Sequence, residues 1–226
     1  MQPVRPISFW WRWVAANALG ELIGLGGVAG AGYLVIVLFG EPKGIIQGIG
    51  LALFFVFAGS FEGYVLGHAQ GKVLTLQIPA LDGWVKGTVV GAVVAWALGM
   101  TPSTIMNLVQ PRSPEPLPVL TTGLRMALAA GLGLVTGPLL AFFQWRVLRI
   151  YVAKAFWWLP ANALAWAFGM PVIFAGVHVV AATPDKALAA LAAAVTIAAA
   201  GAVVGAIHGA VLMWLCRGEV NRESAA

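Results

Sequence analysis

Three ionisable side chains lie inside long apolar stretches, where acid–base or cation-binding chemistry is most plausible. Glu21, Glu62 and His208 each lie nine or ten residues from a basic residue that marks the end of the same stretch. That separation is about 13–15 Å along a helix, and an ionisable group at such depth in a membrane is costly and usually functional. If the three face one another, they could relay protons or bind a cation. The alternative is a set of neutral, hydrogen-bonded structural groups.

One pattern recurs three times near the ends of apolar stretches. Each copy has two small residues four positions apart, then a side chain that can form hydrogen bonds, then Val-Leu. The copies are GYVLGHAQGKVL at 63–74, GPLLAFFQWRVL at 137–148 and GAVVGAIHGAVL at 201–212. A second motif pairs WVAANALGELIG at 13–24 with WLPANALAWAFG at 158–169, and WALGM at 96–100 aligns with WAFGM at 166–170. Self-similarity at this scale indicates an internal repeat.

The repeat aligns the polar residues Gln70, Gln144 and His208 with one another, and Asn17 with Asn162. A threefold arrangement would bring them to a similar depth. We expect a layer of interhelical hydrogen bonds, each worth about 0.6–2 kcal/mol in a membrane. A constriction or a ligand site is the alternative function for the same layer.

Membrane helices must position these residues. Of the 226 residues, 61% are hydrophobic and 9% are charged, whereas soluble domains carry about 25% charged residues. Arg12 and the tryptophans around it interrupt the first stretch, so we expect a membrane helix there instead of a cleaved signal peptide. A spanning helix needs about 20 apolar residues. Six stretches qualify, at about 9–39, 44–76, 83–102, 118–150, 155–181 and 186–216.

The fold class expected from this pattern is an all-α integral membrane protein forming one domain over 1–226. The repeat predicts three parallel helical hairpins, at about 9–76, 83–150 and 155–216, related by a pseudo-threefold axis. Because the segment 101–117 is rich in proline and polar residues, we expect an extramembrane loop there.

The basic residues indicate the orientation of the hairpins. If both termini lie on one side, that side collects nine of the thirteen basic residues. The positive-inside rule then puts both termini in the cytoplasm, and we expect the inner membrane of a bacterium. The nine are Arg5, Arg12, Lys72, Lys86, Arg146, Arg149, Lys154, Arg217 and Arg222.

Small residues recur four positions apart along the even-numbered stretches. Helices in lipid associate through close backbone approach, which such residues permit. We therefore expect packing faces, either within one chain or between chains. They consist of Gly59, Gly63, Gly67 and Gly71 in the second stretch and Gly201, Gly205 and Gly209 in the sixth.

Cofactor chemistry has little support in the sequence. One cysteine excludes an intrachain disulfide and a cysteine-rich metal site, so no metal is predicted. A lone membrane histidine can hold a haem or chlorin ring, so a single-His ring site at His68, His178 or His208 stays open. No motif for hydrolysis, phosphoryl transfer or dinucleotide binding occurs. The thirteen basic residues are too sparse for a nucleic-acid surface.

The segments AFFQWRVLRIYVAKAFWWLPANALAWAFGM (141–170) and WVAANALGELIGLG (13–26) resemble a loose family of uncharacterised bacterial multi-pass membrane proteins. In that family, Gly-rich helices end in Gln-Trp-x-x-Leu-Arg, and the next helix begins with Trp and an Ala-Asn-x-Leu-Gly run. This chain departs from the pattern at Gly71, which replaces the Trp, and at His208, which replaces the Gln. The resemblance implies a membrane location and no known activity or cofactor.

Two functions remain. The first is a non-enzymatic accessory or structural subunit of a larger membrane assembly, with energy-transducing and pigment-bearing assemblies as options. Its partners would be the lipid bilayer and other membrane chains or further copies of this chain, and not nucleic acid. The second is a small proton or cation transporter or channel that uses Glu21, Glu62 and His208, with helix breaks at Pro138 and Pro171.

Overall fold

The protein is all-helical in residues 6–109 and 121–223, which the computed structural model describes. This part of the chain contains six long α-helices, one short 3-10 helix at Ala155–Trp157, and no strand. All six α-helices are long and apolar enough to cross a membrane, as the composition predicts. Their bounds are Pro6–Phe39 (α1), Ile45–Leu74 (α2), Trp84–Val109 (α3), Thr122–Leu148 (α4), Trp158–Ala182 (α5) and Lys186–Glu223 (α6).

The helices form a closed ring. Each helix packs against its neighbours in chain order, and α6 packs against α1. Contacts run in opposite directions along neighbouring helices: Gly63 meets Val89 and Gly67 meets Val85. Neighbours are therefore antiparallel, so α1, α3 and α5 begin at the end of the bundle where α2, α4 and α6 finish. We call this end, where Trp13, Trp84 and Trp158 lie buried, the tryptophan end.

Local residues explain where several helices begin and end. Gly40 has a φ of 76° directly after α1, and Gly83 has a φ of 77° directly before α3. Glycine adopts this left-handed conformation without steric cost, so it suits the points where the chain reverses. The hydroxyl of Thr121 accepts a hydrogen bond from the Leu124 amide at 3.3 Å, which caps α4 and begins it later than the predicted 118.

The predicted extramembrane loop at 101–117 is helical over its first part, because α3 continues to Val109. The candidate membrane span of α3 ends at Thr101, so the extramembrane location stays a prediction. The polar side chains of this segment do not oppose helix formation. Thr101 Oγ1 donates to the Ala97 carbonyl at 2.6 Å and Thr104 Oγ1 donates to the Met100 carbonyl at 2.7 Å. Such bonds satisfy a hydroxyl within a helix. The rest of the predicted loop, 110–117, lies outside the described residues.

The predicted helix breaks at Pro138 and Pro171 are also wrong. Both prolines lie inside continuous helices, α4 and α5. A proline removes one backbone donor, and packing against neighbouring helices compensates for this in membrane helices. Gly137 approaches the α5 backbone, where an added Cβ would lie 2.9 Å from the carbonyl carbon of Asn162. Gly137 therefore lets α4 pack closely against α5 one residue before Pro138.

Candidate functional site

Three buried tryptophans meet on the axis of the ring at the tryptophan end. They are Trp13 of α1, Trp84 of α3 and Trp158 of α5, and each is at most 2% exposed. The ring centroids lie 6.4 Å (Trp13–Trp84), 6.1 Å (Trp13–Trp158) and 5.9 Å (Trp84–Trp158) apart, all with edge-to-face geometry. Aromatic rings prefer this arrangement. The odd-numbered helices therefore contribute one equivalent side chain each to a single layer.

Each indole N–H of this layer donates a hydrogen bond to an even-numbered helix. Trp84 Nε1 donates to Gln70 Oε1 at 3.3 Å, and Trp158 Nε1 donates to Gln144 Oε1 at 3.1 Å. Trp13 Nε1 donates to His208 Nδ1 at 3.0 Å. The three even-helix residues aligned by the repeat are thus the acceptors of three equivalent donors. In a dry interior a buried donor needs such a partner.

A second turn of polar side chains lies four residues further along the odd-numbered helices. Asn17 Nδ2 donates to the Trp13 carbonyl at 2.8 Å, and Asn162 Nδ2 donates to the Trp158 carbonyl at 2.8 Å. Thr88 takes the corresponding position in α3, where its Oγ1 donates to the Trp84 carbonyl at 2.9 Å. Side chains that bond to the carbonyl one turn earlier remain compatible with the helix.

Hydrogen bonds between side chains join the two turns across the bundle. Gln70 Nε2 donates to Asn17 Oδ1 at 2.9 Å. Gln144 Nε2 donates to Gln70 Oε1 and to Thr88 Oγ1, both at 3.0 Å. These bonds connect α1, α2, α3 and α4 in one network. We call the nine residues of this network the polar-aromatic layer. They are Trp13, Trp84, Trp158, Gln70, Gln144, His208, Asn17, Thr88 and Asn162.

His208 is held tightly in this layer. Because the Trp13 N–H can only donate, His208 Nδ1 must accept, and the ring proton of neutral His208 is on Nε2. The imidazole also lies 5.7 Å from the Trp13 ring and 5.0 Å from the Trp158 ring. Its Nδ1 is therefore occupied, which leaves that nitrogen unsuited to holding a haem or chlorin ring.

The other two histidines lie elsewhere. His68 Nδ1 lies 3.0 Å from the carbonyl of Tyr64, whose ring it contacts on the outer face of α2. His178 is exposed near the far end of α5. The three predicted candidates for ring ligation thus do not share a site.

Apolar side chains cover the polar-aromatic layer on the side that faces the loops of the tryptophan end. Leu74, Leu148 and Leu212 are fully buried and belong to the same hydrophobic cluster as the three tryptophans. They are the leucines of the three Val-Leu motifs. In the loops beyond, the Asp82 amide donates to the Tyr151 hydroxyl at 3.1 Å, which ties two connections of this end together. These contacts bury the polar-aromatic layer at the tryptophan end.

Glu21 and Glu62 lie near each other, further from the tryptophan end than the polar-aromatic layer. His208 belongs to that layer and is not part of this carboxyl pair. Glu21 follows Trp13 by eight residues and Glu62 precedes Gln70 by eight, so both carboxyls lie roughly 12 Å further along the bundle. They are 3% and 7% exposed and close enough to interact electrostatically. Trp96 Nε1 donates to Glu62 Oε2 at 2.7 Å, whereas Glu21 Oε2 has no hydrogen-bond partner.

A cavity of about 340 Å³ adjoins Glu62 in the half of the bundle away from the tryptophan end. Residues of five helices, α1 to α5, line it, and its surface is mostly apolar and aromatic. Besides Glu62, its walls include Trp96, Met100, Thr136, Trp166 and Met170. The bundle therefore contains a partly open pocket that reaches a buried carboxyl group.

The predicted glycine faces pack inside the chain. An added Cβ on Gly63 would lie 2.8 Å from the Val89 Cα, and one on Gly201 would lie 2.7 Å from the Asn17 carbonyl oxygen. Contacts this close require glycine. Close contacts also pair Gly59 with Trp96, Gly67 with Thr88, Gly205 with Val14 and Gly209 with Trp13. Gly71 makes an ordinary contact with Trp84.

The sequence-based interpretation paired Trp13 with Trp158 but missed Trp84 and Thr88. It aligned α3 with α5 through Trp96 and Trp166, which are 70 residues apart, whereas the structural equivalents Trp84 and Trp158 are 74 apart. A usable signal was present, because 14 residues separate each glutamine from the tryptophan that donates to it in both α2–α3 and α4–α5.

Comparison with known proteins adds no family to this description. No protein-family model, curated protein or solved structure matches the chain.

Proposed function

We propose that the chain is a non-enzymatic, multi-pass membrane protein that serves as an accessory or structural subunit of a larger membrane assembly. The observation that carries this proposal is the polar-aromatic layer. Its tryptophan N–H groups donate to Gln70, Gln144 and His208 within the bundle. Side chains committed to one another in this way stabilise a fixed helix arrangement, and they are poorly available for binding or turning over a substrate.

The architecture that accompanies this role is three parallel helical hairpins, at about 9–76, 83–150 and 155–216, around a pseudo-threefold axis. Support comes from the equivalence of the tryptophans and of their acceptors. Each tryptophan–acceptor pair joins an even-numbered helix to the odd-numbered helix that follows it in the ring, with α6 joined to α1. We also propose that the chain belongs to the loose family of Gly-rich bacterial multi-pass proteins that it resembles.

The orientation in this proposal has both termini in the cytoplasm and the protein in a bacterial inner membrane. Basic residues at the tryptophan end support it: Lys72, Lys86, Arg146, Arg149 and Lys154 all belong to this end. In Lys72→Cys, a membrane-impermeant maleimide should modify the new thiol only after cell lysis. In Gln47→Cys, the same reagent should modify the thiol in intact cells. The reverse pattern overturns the orientation. Cys216→Ala provides the background for both variants.

The subunit role is tested by isolating the protein from its native membrane in mild detergent and identifying the bound chains by mass spectrometry. A stoichiometric set of other membrane chains is the expected result. Recovery as a homo-oligomer overturns the hetero-assembly and leaves further copies of this chain as the partners. Recovery as a monomer overturns the subunit role. Gly63→Leu, which should disrupt the fold, serves to show that retained chains depend on the folded bundle.

A second function, a small proton or cation transporter, is favoured by the cavity at Glu62 and by the unpartnered Glu21 Oε2. Reconstitution into liposomes tests it, with proton flux measured for the unmodified protein and for Glu62→Gln. Transport requires a flux that Glu62→Gln abolishes. Glu41→Gln is the matched control, because Glu41 is exposed in the loop between α1 and α2. An absence of proton flux in the unmodified protein rules out proton transport.

A further inference from the structure

The partly open pocket beside Glu62 has the size and lining of a small-molecule site. Its volume of about 340 Å³ falls within the range of about 300–1,000 Å³ that ligand pockets occupy. Trp166, Phe174, Met100 and Met170 contribute apolar surface. Aromatic rings attract cations, and methionine side chains adapt to the shape of a bound group. The walls favour a ligand with an apolar body.

The carboxyl pair beside this cavity lacks a positive partner. Glu62 reaches the cavity wall, and the lining residues in the described part of the chain include no Lys, Arg or His. The Trp96 N–H supplies one hydrogen bond to Glu62 Oε2, and Glu21 Oε2 receives none. A buried carboxylate is costly unless a charge compensates it. The compensating charge has to come from a proton or from a bound cation.

The chemistry of the walls selects the class of cation. A bare or hydrated metal ion prefers several oxygen ligands, and the described residues contain no group of three or more His, Cys, Asp or Glu that could hold one. An ammonium group carried on an apolar body suits the space better. Its charge would meet Glu62, and its body would contact Trp166 and the two methionines.

We infer that the cavity beside Glu62 binds a small lipophilic ammonium cation. Binding is an equilibrium property of this site and does not depend on transport or on a subunit role. A positive binding result without flux would support the site and argue against the transport function. The two can therefore fail separately.

The test uses the full chain in lipid nanodiscs with radiolabelled benzyltrimethylammonium as the probe. Saturable binding is expected, and neopentylbenzene, the neutral compound of nearly the same shape, should displace the probe poorly. Glu62→Gln keeps a hydrogen-bond acceptor for Trp96 and removes the charge, so it should weaken binding at least about tenfold, or about 1.4 kcal/mol. Glu41→Gln should leave the affinity unchanged.

A steric pair of variants tests the location without altering charge. Gly99 lines the cavity, and an added Cβ there meets no atom within 4 Å, so Gly99→Leu should fill part of the space and weaken binding at least about tenfold. Gly30→Leu adds the same side chain on the exposed face of α1, also with no atom within 4 Å of the Cβ. This variant should bind the probe normally.

Three results would overturn the inference: no saturable binding to the unmodified protein, equal displacement by the neutral compound, or unchanged affinity in the site variants. If Glu62→Gln does not fold, the Gly99→Leu and Gly30→Leu comparison decides the location. The neutral competitor, used on the unmodified protein, then decides the role of charge.

Discussion

Gln144 Nε2 donates a hydrogen bond to Gln70 Oε1 at 3.0 Å, although the two residues lie 74 positions apart on helices that are not neighbours in the ring. The bond therefore crosses the interior of the bundle. Both side chains are buried, at 1% and 2% exposure. An amide in this setting has no water to replace a lost partner, which makes the pair a sensitive point for the stability of the fold.

The Gln70–Gln144 bond should appear as an energetic coupling. Gln70→Ala and Gln144→Ala, made singly and together, should give a coupling free energy of about 0.5–2 kcal/mol, because both belong to one network. Unfolding in mixed detergent micelles, followed by circular dichroism, measures it. The control cycle combines Gln70→Ala with Gln47→Ala, in an exposed position near the other end, and should be additive. Additivity in the first cycle would contradict the bond.

His208 should be replaceable by glutamine and not by alanine. Its Nδ1 accepts from Trp13 as the amide oxygens of Gln70 and Gln144 accept from Trp84 and Trp158. His208→Gln should change the free energy of unfolding by less than about 1 kcal/mol, whereas His208→Ala should lower it by about 1–3 kcal/mol because the indole donor loses its partner. Equal losses in both variants would show that the imidazole itself is required.

The indole N–H of Trp84 should contribute to stability beyond the apolar area of the ring. Trp84→Phe removes the donor to Gln70 and leaves unfilled space, which should lower the free energy of unfolding by about 1–3 kcal/mol. Trp11→Phe is the matched control, because Trp11 is 60% exposed, and it should change stability by less than about 0.5 kcal/mol. Thermal unfolding monitored by circular dichroism distinguishes the two variants.

Glycine at position 63 should be required for α2 to approach α3. An added Cβ would lie 2.8 Å from the Val89 Cα and 2.8 Å from the Ala92 Cβ, so Gly63→Leu forces the helices apart and should cost at least about 1–3 kcal/mol. In Gly48→Leu the added Cβ meets no atom within 4 Å, and the stability should be nearly unchanged. Similar stability of the two variants would show that the interface tolerates a wider separation.

Several features of this protein followed from the residues alone. The number of membrane-compatible helices was predictable because apolar length decides whether a segment can cross a bilayer. The alignment of Gln70, Gln144 and His208 was also available, since the Gly and Val-Leu positions around them repeat. The end of α3 was not, because the prolines and polar residues of 101–117 suggested a loop, whereas the hydroxyls of Thr101 and Thr104 donate to carbonyls within the helix.

Tertiary packing decided which of these residues meet. A shift of about one helical turn moves a helix by four residues and keeps the same face towards its neighbour. The alignment of WALGM with WAFGM therefore places Thr88 opposite Trp158, four residues from Trp84, and helical periodicity alone does not choose between the two. Contacts around the closed ring make that choice, because they bring Trp84 to the axis and leave Trp96 beside Glu62. The same contacts separate His208 from Glu21 and Glu62, since depth along a helix depends on how its neighbours are packed.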